Sequence, residues 1–200
     1  MPTQPWYRPA LIATTVLALS MVLAGCGGQD AAADAEPLTE RQQRIIESIV
    51  TVAEAYDEAA ATLEGLSTET RVHVLNSAAY ELRDEITPRA RSAMNFLTSV
   101  TWERLSWEHN ESLEALALEG GRGGQQLNDA ALQFLQAHLR VLDAIGMMEA
   151  RMPPPIMDAA IERFEVMVAS FWDLMDQEFS DTMYAADDRL HELEMQAGAR

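Results

Sequence analysis

Lysine does not occur in this 200-residue chain, so all 14 of its basic residues are arginine, against 32 acidic residues. The formal charge of -18 argues against sequence-independent binding of nucleic acid, which needs basic side chains to neutralise phosphates. It equally disfavours adhesion to anionic lipid headgroups by charge alone. The single cysteine, Cys26, excludes an intrachain disulfide and any cysteine-based zinc or iron–sulfur site. The length is that of one domain, or of two small ones.

The familiar catalytic signatures are missing as well. The chain contains no His-Glu-x-x-His, Gly-x-Ser-x-Gly, phosphate-binding loop or Cys-x-x-Cys-His motif. None of its four histidines follows a glutamate by three residues, the pairing that a carboxylate-bridged di-iron bundle requires. We therefore predict a protein that is not an enzyme and that has no cofactor.

The first 26 residues have the pattern of an export signal. Arg8 is the only charged side chain before Asp30, and it precedes an apolar run from Ala10 to Leu23, which is too short for a typical membrane span. The run ends in Leu23-Ala24-Gly25-Cys26, which resembles the processing box of bacterial lipoproteins. That resemblance implies removal of residues 1–25 and attachment of a diacylglycerol to the Cys26 thiol. An ordinary secretory signal or an uncleaved anchor is the alternative.

The resemblance also implies a location and a lipid partner. Two or three acyl chains on Cys26, such as palmitate, would anchor the protein durably in a bilayer, whereas one chain alone would be marginal. The best-known inner-membrane retention signal has Asp after the cysteine, and this chain has Gly27. We therefore expect a periplasm-facing protein of the cell envelope, on the outer membrane rather than the inner one.

Residues 26–37 are predicted to be the lipidated cysteine and a flexible tether. The segment from Gly27 to Pro37 is small, acidic and rich in Gly and Ala, and its random-coil dimension is about 18 Å. No apolar run beyond Leu38 is long enough for a second membrane crossing. The mature domain is therefore predicted to work beside a membrane without entering it.

From Leu38 to Arg200 the hydrophobic pattern is helical throughout. Apolar residues alternate at spacings of four and three, as in helices that pack along their length, at Ile45, Ile49, Val52, Tyr56, Ala59, Leu63 and Leu66. The pattern predicts helices over about 38–65, 68–86, 88–119, 127–151 and 156–196. They are separated by Gly65, Thr87-Pro88, the glycine run 120–124 and Pro153-Pro154-Pro155. We predict an all-α fold, an elongated antiparallel bundle of four or five helices.

Two sets of side chains are candidates for a metal or haem site. His109 and His138 both fall on apolar stripes, so both are predicted to face inward, where a pair of imidazoles could ligate copper or haem. Four methionines bracket the triple-proline turn, and thioethers suit copper(I). The alternatives are an interfacial role for the histidines, and core filling or partner docking for the methionines. These methionines are Met147, Met148, Met152 and Met157.

A second apolar stripe on the third predicted helix suggests a contact surface. Phe96, Val100 and Trp107 lie on it, and a helix that is apolar on two sides is either central or exposes a patch to a partner. We predict that these three residues, with the four methionines second, contact another envelope protein. Leu38-Thr39-Glu40-Arg41-Gln42 resembles the Leu-Thr-x-x-Gln motif of the Spy-like periplasmic chaperones, which implies a chaperone-like or scaffold role. The same residues also form a helix-capping box.

Overall fold

The structure, a computed structural model, describes residues 38–102 and 122–199. These residues form six α-helices and one π-helical segment, and we number the helices in chain order. They are α1 (Glu40–Gly65), α2 (Val72–Glu81), the π segment (Leu82–Ile86), α3 (Thr87–Trp102), α4 (Arg122–Glu149), α5 (Pro155–Glu178) and α6 (Ser180–Gly198). The prediction of an all-α helical bundle is confirmed. Cys26, the predicted signal and tether, Trp107 and His109 all lie outside the described residues.

The first helix begins and ends where its sequence signals indicate. The Thr39 hydroxyl accepts the Gln42 backbone N–H at 3.2 Å, and the Gln42 side chain accepts the Thr39 N–H at 2.8 Å. This reciprocal pair satisfies two of the donors that a helix start leaves free. The helix ends at Gly65, and its predicted stripe from Ile45 to Leu66 is buried. The five-residue Thr-containing motif therefore acts at least as a helix cap.

The chain passes through Thr87-Pro88 without a break, and here the predicted helix boundary is wrong. Proline lacks an N–H, and its ring would clash with a carbonyl one turn earlier in a regular helix. The π segment from Leu82 to Ile86 precedes it, and the Thr87 hydroxyl donates to the Leu82 carbonyl at 2.5 Å. The wider π turn accommodates the proline inside one long helix. That helix starts at Val72 rather than near Thr68.

The first and fourth helices form the main packing pair and run in the same direction. Arg140 of α4 contacts both Asp57 and Glu64 of α1, and Arg151, two residues past the end of α4, reaches Leu66, the residue that follows α1. Both helices are rich in buried alanine, which lets their backbones approach closely. The buried alanines are Ala53, Ala55, Ala59 and Ala60 on α1 and Ala130, Ala131, Ala137 and Ala144 on α4.

The remaining helices run opposite to that pair. Arg44 and Glu58 of α1 meet Phe96 and Arg89 of α3 respectively, so α3 is antiparallel to α1. On the other side of α4, Trp172 of α5 lies against His138, and Arg189 of α6 pairs with Asp129, at 2.6 Å. Helices α5 and α6 therefore also run antiparallel to α4. The order along the chain is up-down-up-down.

Three details of the predicted helix pattern are corrected by the packing. Gly123 and Gly124 are helical and buried, so within the described residues the glycine run belongs to α4. Leu139 and Leu142 are 45% and 36% exposed, although their spacing predicts burial. The last predicted helix is interrupted at Phe179, whose backbone leaves helical geometry while its side chain stays in the core.

The end of α6 extends past the core. Ala186 is buried, but Leu190 is only half-buried and Leu193 is 38% exposed, so the predicted stripe is less covered toward the end of the helix. Across residues 38–102 and 122–199, no helix combines the length and apolarity that a membrane crossing requires.

Candidate functional site

The turn between α4 and α5 projects a methionine into solvent from one end of the bundle. Met152 is 91% exposed and has a φ of 54°, in the left-handed region that non-glycine residues rarely adopt. The residue that precedes a proline is hindered from the right-handed helical region, and Pro153 follows directly. The triple proline thus ends α4 and turns Met152 outward.

Arg151 fixes this turn to the loop between α1 and α2. Its guanidinium donates to the Leu66 carbonyl and, at 2.6 Å, to the Glu69 carbonyl. Glu69 is itself held by Arg71, whose hydrogen bonds lower the pKa of the Glu69 carboxyl to about 2. We call this end of the bundle, residues 66–72 and 147–155, the tip. Its two loops are joined by side chain-to-backbone hydrogen bonds.

The four predicted methionines divide into two groups. Met148 and Met157 are completely buried, whereas Met147 is 44% exposed and Met152 almost fully so. Core filling therefore accounts for Met148 and Met157, and only Met147 and Met152 are free to contact a partner. Val72, which is 58% exposed, begins α2 at the same end. The tip thus presents apolar side chains that the bundle itself does not cover.

His138 is buried inside an aromatic cluster, as its place on the α4 stripe predicts. It is 7% exposed, and its ring stacks on Trp172 with centroids 4.6 Å apart at 23°. Burial lowers the pKa of the imidazole to about 4, because a charged ring would lose its hydration there. Its Nδ1 atom has no hydrogen-bond partner among the described residues.

Tyr56 occupies the centre of the same cluster. Its ring lies 5.8 Å from Phe164 and 5.9 Å from Phe134, centroid to centroid, and its hydroxyl has no partner within the described part of the chain. Burial raises the pKa of this phenol. Such rings stabilise the core through area burial and edge-to-face contacts. An unpaired buried hydroxyl opposes that stabilisation.

The described side chains around His138 do not form a ligand set for a metal. Within residues 38–102 and 122–199 no group of three His, Cys, Asp or Glu side chains is close enough to hold an ion. The side chains packed on the imidazole are aromatic, from Tyr56, Phe134 and Trp172. The predicted partner His109 lies outside the described residues, so the pairing of the two histidines stays a prediction.

Of the predicted contact stripe on α3, the structure describes the side chain of Phe96. It is half-buried against the core, and the Arg44 guanidinium lies 4.6 Å above its ring, in a cation–π contact. The side chain of Val100 and all of Trp107 lie outside the described residues. The Phe96 ring therefore faces α1 and Arg44 on the bundle surface, and the apolar patch predicted around it stays a prediction.

A groove runs between α1 and α3 beside Phe96. It has a volume of about 480 Å³, and Arg44 and Arg89 lie toward its two ends. Sequence reasoning missed this groove, because its position depends on the register between two helices. The available signal was the presence of Arg44 and Arg89, cationic side chains in a strongly acidic chain.

Comparisons with known proteins find no relative for this chain. No protein-family model, curated protein or solved structure matches it.

Proposed function

We propose that this chain is a lipid-anchored, non-catalytic protein of the bacterial cell envelope that binds another envelope protein through its tip. The anchor is Cys26, acylated after removal of residues 1–25, and the helical domain faces the periplasm, with the outer membrane as the favoured location. The observation that carries the binding role is the exposure of Met152, an apolar side chain held outward by a braced turn.

The position of the tip suits a contact made away from the membrane. The 26-residue helix α1 begins next to the tether and ends at the tip, and at 1.5 Å per residue it is about 39 Å long. The tether itself contributes on the order of 18 Å. A partner bound at the tip would therefore meet the domain at the end remote from Cys26.

The structure of the tip favours a binding role for Met152 over incidental exposure of its side chain. Methionine is flexible and polarisable, and it adapts to irregular apolar surfaces. The backbone that carries Met152 is fixed by three prolines and by the Arg151 hydrogen bonds. Fixing the backbone before association reduces the ordering cost of binding. Glu69 and Arg71 beside it supply the charged rim that surrounds a typical contact patch.

The test is site-specific photocrosslinking in intact cells of the native host. A photoreactive amino acid replaces Met152 in one strain and Arg163 in a control strain, since Arg163 is exposed on α5 about 12 Å along the helix axis from Pro155. We expect one envelope protein to crosslink at Met152 and not at Arg163. We also expect the same protein to crosslink when the photoreactive residue replaces Met147.

A second variant separates contact from chance proximity. Arg151→Met removes both hydrogen bonds that brace the turn, so it should weaken the Met152 crosslink while the protein remains in the membrane fraction. Equal crosslinking at Met152 and Arg163, or crosslinks only to abundant unrelated proteins, would refute the tip as a binding surface. Release of the protein into the soluble periplasm would refute the anchor instead.

A further inference from the structure

The α1–α3 groove exists because small side chains face each other there. Ser48 of α1 and Ser92 and Ala93 of α3 line its middle, while larger side chains stand toward either end. The groove has a volume of about 480 Å³ and is largely open to solvent, so it could cover one side of a ligand. The groove is open to solvent along one side, so a ligand could enter without a change in the helices.

Arg44 offers a cation that forms no salt bridge among the described residues, although the Glu47 carboxylate, which accepts a hydrogen bond from Gln43 at 2.9 Å, also lines the groove. Its Cζ atom lies 4.6 Å from the centroid of the Phe96 ring, and its N–H donors make no hydrogen bond to another described residue. Arg89, toward the other end, differs because it pairs with Glu58. A planar fork of N–H donors matches a carboxylate, which it can bind with two parallel hydrogen bonds.

The hydroxyls along the groove complement a ligand that donates hydrogen bonds. Ser48 donates its proton to the Arg44 carbonyl at 2.7 Å, and Thr51 donates to the Glu47 carbonyl at 2.8 Å. Their oxygen atoms therefore face a ligand chiefly as acceptors. Backbone N–H groups of an extended peptide are donors of this kind.

The length of the groove and the charge of the protein limit the class of ligand further. Arg44 and Thr51 are separated by about 10 Å along α1, and an extended chain of three residues spans about the same distance. The net charge of -18 repels polyanions, so a ligand with a single carboxylate is favoured over nucleic acid or a highly acidic protein.

We propose that this groove binds a short, extended peptide with its C-terminal carboxylate on Arg44. The peptide backbone lies along the hydroxyls of Ser48 and Thr51, and its small side chains occupy the space above Ser92 and Ala93. The site depends neither on Cys26 nor on the tip. A failure of the peptide-binding proposal would therefore leave the envelope-binding role untouched, and the reverse also holds.

The test uses calorimetric titration of the full chain, purified in detergent, with tri-alanine and with tri-alanine amide. The two probes differ only at the C-terminal group. We expect tri-alanine to bind with a dissociation constant on the order of 1 mM, and the amide to bind at least about tenfold more weakly. Inorganic phosphate, titrated separately, measures whether any small anion is sufficient.

Three variants assign the effect to Arg44. Arg44→Gln removes the charge and should weaken tri-alanine binding at least about tenfold. Arg44→Lys keeps the charge without the planar fork, so its affinity should be intermediate. Arg163→Gln makes the same charge change on α5 and should leave the affinity unchanged.

Several results would overturn the proposal. These are equal binding of acid and amide, unchanged affinity in Arg44→Gln, no binding up to about 10 mM tri-alanine, or phosphate binding as tightly as the peptide. Circular dichroism checks that each variant is folded. If Arg44→Gln does not fold, the comparison of acid with amide on the unaltered protein still decides the question.

Discussion

Burial of His138 predicts that the fold loses stability between neutral and mildly acidic pH. The imidazole has a pKa of about 4 in the folded protein, because burial disfavours its charged form, against 6.5 for a free histidine. The unfolded state therefore binds the proton first as the pH falls. Stability from this group is complete above the unfolded pKa and is lost progressively as the pH falls from 6.5 toward 4.

The size of the effect follows from the two pKa values. Between about pH 7 and pH 5, proton binding by the unfolded state alone should lower the free energy of unfolding by about 2 kcal/mol. His138→Gln cannot titrate, so it should abolish that loss. His73→Gln, which removes an exposed histidine of α2, is the matched control.

Denaturant unfolding of the full chain in detergent, followed by far-ultraviolet circular dichroism, measures these free energies at both pH values. The quantity compared is the pH-dependent loss in each variant, so histidines common to all variants cancel. A loss of about 2 kcal/mol that persists in His138→Gln would show that the histidine is not buried as described. An unaltered protein whose stability does not change over this range would contradict the same reasoning.

Three further substitutions test the packing, each by denaturant unfolding at neutral pH. Tyr56→Phe removes a buried hydroxyl that has no partner in the described structure, so it should stabilise the fold by about 1 kcal/mol, and destabilisation by that amount would contradict the unpaired hydroxyl. Ala59→Leu inserts a large side chain into the packed core and should cost about 1–3 kcal/mol, whereas the same change at exposed Ala61 should cost little. Arg151→Met should cost about 1–3 kcal/mol because two loop carbonyls lose their donor, and an unchanged midpoint would refute the bracing of the tip.

Local signals in the sequence predicted the starts and ends of helices well where neighbouring residues alone determine the backbone geometry. The Thr39–Gln42 capping box, the stop at Gly65 and the triple-proline turn depend only on neighbouring residues, and the structure contains all three. The burial of His138 was also predictable, because it lies on a regular apolar stripe. The helix boundary predicted at Pro88 was wrong. Proline usually marks such a boundary, but here a π turn accommodates it within one helix.

Features that depend on the register between helices could not be predicted in the same way. Nothing local to His138 indicates that Trp172, on another helix, will stack on it. The exposure of Leu139 and Leu142 is likewise decided by which neighbours reach each part of α4. The groove beside Arg44 arises only when α1 and α3 are aligned, so a search for sequence motifs does not find it.

Acylation of Cys26 is the claim on which the location of this protein depends, and intact-mass spectrometry of protein extracted from native membranes tests it most directly. We predict a chain that begins at Cys26 and carries the added mass of a diacylglycerol, with or without a further acyl chain. A chain that retains residues 1–25, or that has a free thiol at Cys26, would contradict it.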